Sequence, residues 1–301
     1  IATEGLPPGG RTQKEIQAEH IDALDARRRG QGAGALKTGF GDYDRLTGGL
    51  REGGLFILAA RPSMGKTQLA CDISQRVATA GRPVAYFSLE MGATEVLERI
   101  WASLERVSIE RMRRGRLGEQ EMAQLTRACN GIENAAEVHL VDRSGLGLVE
   151  LRSELRRAIR RHGRLGLIVI DYIQLMQAEN PRASRVEQVG SISRGLKMLA
   201  RQLGTPILAL SQLNRACEQR PDKRPLLSDL RDTGDLEQDA DAVSFIYRDD
   251  YYQRDSAEPG VAELIVAKHR HGPTGTAKLL FMAHYPRFAD RASEAPQQQR
   301  T

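Results

Sequence analysis

Apolar residues in this chain arrive as short continuous blocks rather than in strict alternation. LFILAA (55–60), VAYFSL (84–89), VHLVD (138–142), LIVID (167–171), PILALS (206–211) and AVSFIY (242–247) are rich in Val, Ile and Leu. A strand that is apolar throughout must be covered on both faces, the condition of a parallel sheet between helices. The intervening stretches carry helical spacing. In LVELRSELRRAIRRH, residues Leu148, Leu151, Leu155, Ala158 and Ile159 form one stripe. Strand–helix alternation predicts an α/β fold with a mostly parallel central sheet flanked by helices. AELIVAKHR and TAKLLFMAHY flank the turn sequence HGPTG. They predict a C-terminal antiparallel hairpin.

The ends follow a different pattern. Residues 1–11 are a Pro/Gly-rich, flexible lead-in, and SEAPQQQRT closes a polar, disordered tail at 291–301. Between them and the main body, residues 12–35 hold a helix with Ile16, His20, Ile21 and Leu24 on one side, then the break GQGAGA. Such a helix, cut off by glycines, either docks on another subunit or frays as an arm. The body proper spans 36–290. The chain opens on Ile1 rather than Met, which suggests a fragment or a processed product.

Composition narrows the classes. Of 301 residues, 40% are apolar, enough for a sizeable core. The net charge of +5 permits a polyanionic partner without requiring one. The three cysteines, Cys71, Cys129 and Cys217, lie far apart without a CxxC, which suits reduced packing residues of an intracellular protein. No apolar run approaches the ~20 residues of a membrane helix, so no membrane partner is expected.

The chemistry starts at ARPSMGKT (60–67), directly after the first strand. A phosphate-binding loop needs backbone N–H groups at a helix N-terminus, a lysine for the β- and γ-phosphates and a hydroxyl for Mg²⁺. Ser63, Met64, Gly65, Lys66, Thr67 and Gln68 occupy those places. The usual first glycine is Ala60, which still closes the loop if its φ stays negative. Open α/β sheets bind ligands at the carboxyl ends of their strands, and three more polar residues end strands there. Asp171 suits Mg²⁺. Glu90 suits activation of a water, or simply the start of the next helix. Gln212 suits the γ-phosphate, or is a satisfied loop amide. Lys268 and Arg270 alternate on one face at the end of the penultimate strand. They are either a solvated pair or a cationic finger for a neighbour's nucleotide. Residues 213–238 are rich in Arg, Asp, Gly and Pro, a composition that lets backbone N–H groups approach a phosphate. A second basic stretch, QAENPRASRVEQ, carries Arg182 and Arg185.

Taken in order, TGFGDYDRLTGGL, ARPSMGKT, FSLEM, IDYIQLM, SQLNR, LSDLRDTGDLEQDADAV and KHRHGPTG resemble the C-terminal motor domain of replicative DNA helicases of the DnaB family, over about residues 36–290. The helix before them resembles that family's linker helix. The resemblance implies a RecA-like P-loop NTPase fold, a homo-hexameric ring with the linker helix docked on a neighbour, and ATP with Mg²⁺ between subunits. It assigns Lys66 and Thr67 to phosphate and Mg²⁺, Glu90 to catalysis, Asp171 to Mg²⁺, Gln212 to γ-phosphate sensing, and Lys268 and Arg270 to the adjacent subunit's nucleotide. Arg231, Asp232 and Gly234 become contacts to single-stranded DNA, although the family often has Arg-Glu where this chain has Arg231-Asp232. Primase and a helicase loader are further partners, in a bacterial cytoplasm, whether host- or phage-encoded. The family's helical N-terminal collar has no counterpart here, as in a truncated chain or a shorter relative. Two other classes share the sheet and loop: an ATP-switched recombinase-type filament, and an accessory ATPase ring that processes no nucleic acid.

Overall fold

The structure is a computed structural model, and it describes residues 10, 12–29, 34–131, 136–233, 235–253 and 255–291. The lead-in, the Gly-rich break and the tail therefore fall largely outside the described residues. Among the described residues, nine strands form one sheet in the order β3-β2-β4-β5-β1-β6-β7-β8-β9. They are β1 (Leu55–Ala60), β2 (Val84–Ser88), β3 (Val138–Val141), β4 (Leu167–Asp171), β5 (Ile207–Gln212), β6 (Ala242–Tyr247), β7 (Val261–His269), β8 (Gly275–Met282) and β9 (Arg287–Asp290). The first six pair in parallel, and β6 through β9 pair antiparallel. The expected hairpin is β7–β8.

Ten α-helices are described: α1 (Gln13–Arg28), α2 (Gly41–Thr47), α3 (Lys66–Thr79), α4 (Ala93–Glu105), α5 (Ile109–Arg113), α6 (Glu119–Gly131), α7 (Leu148–His162), α8 (Arg185–Leu203), α9 (Leu236–Asp239) and α10 (Asp249–Tyr252). On α1, Ile16, Ile21 and Leu24 are exposed.

Continuous burial of β1 has a simple cause: its two faces feed two cores. Phe56, Leu58 and Ala60 join Leu69, Ile73 and Val77 of α3 and Val96 and Ile100 of α4. Leu55, Ile57 and Ala59 join Leu151, Leu155 and Ala158 of α7 and Val189, Ile192, Leu196 and Leu199 of α8. The helical stripe predicted on α7 thus faces the sheet, with Leu148 and Ile159 packed at its margin. Cys71 and Cys217 are buried free thiols.

One element departs from the expected pattern. The chain 276–285 is not a single strand: β8 ends at Met282, and a turn returns it as β9. What fixes β9 is remote in sequence. The Phe288 N–H donates to Asp72 Oδ2 on α3 at 2.7 Å, and the Phe288 ring is fully buried against the same core.

Candidate functional site

The loop between β1 and α3 opens a cleft of about 400 Å³ at the carboxyl edge of the parallel strands. Ala60 is still strand, paired with Gln212, and it is not among the residues of positive φ. Alanine therefore serves at the position where glycine is usual. Gly65 does need to be glycine: its φ is 97°, and a Cβ there would lie 2.8 Å from Phe288 Cζ. Ser63 also sits at positive φ, 66°. Ser63, Gly65, Lys66, Thr67 and Gln68 line the cleft with Glu90 and Gln212. The Met64 side chain is 1% exposed and packs in the core. Gln68 lines the cleft but commits its Nε2 to Asp72 Oδ1, at 2.9 Å.

Lys66 Nζ lies 3.9 Å from Asp171 Oδ1 and 4.2 Å from the centre of the Tyr172 ring. Burial lowers the lysine's pKa, opposed by the charges of Asp171 and then Glu90. Asp171 is 2% exposed. Its Oδ2 accepts from Tyr86 Oη at 3.0 Å, while Oδ1 is buried without a hydrogen-bond partner. A buried carboxylate oxygen left in that condition is costly unless a cation or donor satisfies it. Glu90 is presented by a turn after β2, where Ser88 Oγ donates to the Met91 carbonyl at 2.6 Å and accepts from the Met91 N–H at 3.3 Å. Gln174, just past β4, secures the end of β5: its Nε2 donates to Ser211 Oγ at 2.8 Å and to the Gln212 carbonyl at 3.1 Å.

Lys268 and Arg270 are not in this cleft. The Arg270 N–H donates to the Asp241 carbonyl at 2.8 Å, and the Asp241 N–H donates to the Leu55 carbonyl at 2.8 Å. Arg270 is thus level with the start of β1, whereas the phosphate loop follows its end. Six strand residues separate the two by roughly 20 Å. Neither cation is simply solvated. Lys268 Nζ donates to the Glu237 carbonyl and Arg270 to the Gln238 carbonyl, both on α9. Burial, then the neighbouring Arg270 charge, lowers the Lys268 pKa.

The segment after β5 folds as two 3₁₀ turns, Arg215–Gln219 and Leu227–Thr233. Asp229, 4% exposed, organises it: Arg220 donates to both of its oxygens at 2.8 Å, and the Leu226 N–H to Oδ2 at 2.8 Å. Of the expected DNA contacts, Arg231 and Asp232 lie in the second turn, with side chains outside the described ones, and Gly234 is outside the described residues. Arg185, in the other basic stretch, donates to the Gln174 carbonyl. Two cleft residues escaped the sequence reading. Arg99 of α4 lines the cleft with its Nε unpartnered, and nothing in its local sequence marks it. Arg61 stands inside the quoted motif, yet its partners, Leu213 and Glu218, are distant in sequence.

A central parallel sheet with a phosphate loop after its middle strand and a buried carboxylate after a neighbour defines a RecA-like P-loop nucleotide-binding fold. Residues 35–290 match the DnaB-like helicase C terminal domain, and the chain belongs to that family. It is 41% identical over 281 residues to the replicative DNA helicase DnaC of Bacillus subtilis (strain 168). It is 42% identical over 281 residues to the replicative DNA helicase DnaB of Geobacillus stearothermophilus. Each match takes in 92% of this chain and 61% of the relative, so the chain spans about three fifths of their length. Among solved structures, an isolated ATPase domain superposes with a TM-score of 0.87 at 34% identity, covering 94% of this chain and 100% of that one. A DnaB-like replicative helicase, described with its interactions with primase, gives 0.84 at 35%, covering 94% of this chain and 67% of that one.

Proposed function

We propose that this chain is the ATP-driven motor part of a replicative DNA helicase, working as one of six copies in a ring around single-stranded DNA. The observation that carries it is the division of the site between opposite edges of one sheet. The phosphate loop with Lys66 and Asp171 stands at one edge, and the Lys268–Arg270 pair stands at the other. A single chain cannot bring the two together, whereas a neighbour in a ring can.

ATP and Mg²⁺ suit the residues present. The unpartnered Asp171 Oδ1 beside Lys66, with Thr67 in the cleft lining, is an oxygen donor set for a hard divalent ion. Thr67 and Asp171 would hold Mg²⁺, and Ser63 through Gln68 would cradle the phosphates. When bound, the ion neutralises charge on the β- and γ-phosphate oxygens. Glu90 orients the attacking water and accepts its proton. Lys66 in the same chain, with Lys268 and Arg270 from the neighbour, stabilises the charge of the transferring phosphoryl group; an arginine so placed is worth about 10³–10⁵ in rate. Gln212 reads the γ-phosphate at the end of β5. Arg231, Asp232 and Gly234 grip the DNA backbone without sequence readout. Because the finger pair rests on α9 carbonyls, its engagement by a neighbour's nucleotide loosens the segment just past the DNA contact. Single-stranded DNA and five further copies are the proposed partners, with α1 docked on the neighbour and primase and a loader in the assembled machine, in the cytoplasm.

Against the filament reading, the family match over residues 35–290 favours the helicase. The test is strand separation on a forked duplex with ATP and Mg²⁺, with Lys66→Ala as the blank. Unwinding that requires a free 5′ tail and disappears in the variant supports the motor. DNA binding and hydrolysis by an assembled ring without unwinding refute it.

A further inference from the structure

Nucleotide state and DNA grip have to communicate within each chain, and Gln212 with β5 is one route. A second begins at Arg61, the first residue of the phosphate loop. Its side chain is 9% exposed and spans from the cleft lining to the segment after β5. NH1 donates to the Leu213 carbonyl at 2.8 Å, and NH2 to Glu218 Oε2 at 3.2 Å. Nε lies 3.1 Å from Glu218 Oε1, an ion-pair contact without the angle of a hydrogen bond. Glu218 sits in the first 3₁₀ turn after β5. On its far side it accepts from Tyr252 Oη at 3.3 Å, and the Tyr252 ring stacks on Tyr247 of β6 with centroids 5.9 Å apart. From that turn the chain runs into Arg220, whose fork holds Asp229. Asp229 lies in the same 3₁₀ turn as Arg231.

We infer that Glu218 is a positioning residue, tying the phosphate loop through Arg61 to the segment that bears the DNA contact. The physical reason is stiffness. A forked arginine–carboxylate pair has two contacts and little rotational freedom. Displacement of the phosphate loop is therefore passed on to the Arg215–Gln219 turn. The Tyr252 hydroxyl gives Glu218 a fixed second partner on α10, against which the turn can swing. Glu218 itself does not line the cleft. The inference rests on the proposed DNA-dependent motor.

The experiment uses the full chain, a non-hydrolysable ATP analogue and an oligo-dT strand. Coupling between two sites is reciprocal: the factor by which the analogue tightens DNA equals the factor by which DNA tightens the analogue, commonly about 5–150-fold. The wild type is expected to show a factor of about five or more, with hydrolysis stimulated by DNA. Glu218→Gln keeps the side chain's shape and loosens the charged fork. It is expected to bring both factors to within about twofold of one, with the DNA-free hydrolysis rate unchanged and the fold retained at a somewhat lower melting temperature. Tyr252→Phe, which keeps the ring stack, is expected to lose part of the coupling. Retention of the wild-type factor in Glu218→Gln overturns the inference and leaves the motor standing. Loss of DNA-free hydrolysis in that variant overturns it too, because Glu218 would then support the cleft itself. A wild-type chain with no coupling and no DNA stimulation removes the motor, and the relay with it.

Discussion

Asp72 is the sharpest place to test how this site is held together. It stands on α3, one turn past the phosphate loop, and is 5% exposed. It accepts from Ser103 Oγ at 2.6 Å, Phe288 N–H at 2.7 Å and Gln68 Nε2 at 2.9 Å. Burial outweighs those bonds and pushes its pKa from 3.8 to about 6. A folded-state pKa above the unfolded one means that the neutral acid is what the fold prefers. The stabilisation is fully present below pH 3.8 and is lost as pH rises through about 6. The difference of about 2.2 pH units corresponds to about 3 kcal/mol charged against the native state at pH 8. Asp72→Asn removes the charge and keeps the shape. Its Oδ1 still accepts from Phe288, and its Nδ2 can donate to Gln68 Oε1, which is buried without a partner. The variant is therefore expected to be more stable than wild type by up to about 3 kcal/mol at pH 8. The advantage halves near pH 5 and vanishes below pH 4. Urea unfolding of both proteins at pH 4, 5, 6.5 and 8 measures this. The competing effect is the set of hydrogen bonds to a charged acceptor, each worth about 1.5–3 kcal/mol. A variant that is less stable than wild type at pH 8, by more than at pH 4, would show that those bonds win and that Asp72 is an ionised anchor.

Three further outcomes test the site residues. Arg270→Ala is expected to lose ATP hydrolysis while still binding a nucleotide analogue, as read by phosphate release and fluorescence titration; normal turnover removes the trans-acting finger. Tyr86→Phe deletes the 3.0 Å bond to Asp171 Oδ2 and frees the carboxylate to rotate. It is expected to raise the Mg²⁺ concentration needed for half-maximal hydrolysis several-fold with little change in maximal rate, and an unchanged Mg²⁺ dependence means Tyr86 is only core. Arg231→Ala should weaken single-stranded DNA binding about equally for all sequences and lower the salt slope by about one; a loss confined to particular sequences contradicts a backbone grip.

The parallel strands were legible because burial on both faces leaves an unbroken apolar run. Both β1 and β4 end where those runs end. The phosphate loop was legible because its chemistry is local. What could not be read is long-range. Phe288 joins Asp72 across 216 positions, so no separate strand was expected at 287–290. Arg61 meets Glu218 across 157, so an arginine inside a known motif carried no sign of its partner. The direction of the Met64 side chain was hidden too: the motif places the residue in the loop, and tertiary packing turns its side chain into the core. Arg99 reaches the cleft from α4, and helical spacing alone gives no hint of that.

The sheet explains why the two halves of the site occupy separate edges. In parallel strands every carboxyl end lies on one side, so the loops after β1, β2, β4 and β5 gather the phosphate loop, Glu90, Asp171 and Gln212 around one cleft. The reversal at β7 sends its last residues to the other side, and Lys268 and Arg270 go with it. A strand continuing the parallel set would have delivered those cations to the chain's own cleft. With them there, hydrolysis would need no neighbour and would run without regard to the state of the ring. Placed at the far edge, they would complete another copy's site in the proposed ring, while their carbonyl partners on α9 tie them to the chain's own proposed DNA segment. Arg61 and Glu218 make the complementary link, from the chain's own phosphate loop toward the same segment. In the proposed ring that segment would lie between two nucleotide sites, one read directly and one read through the neighbour, and this is the connectivity that ordered firing around a ring requires.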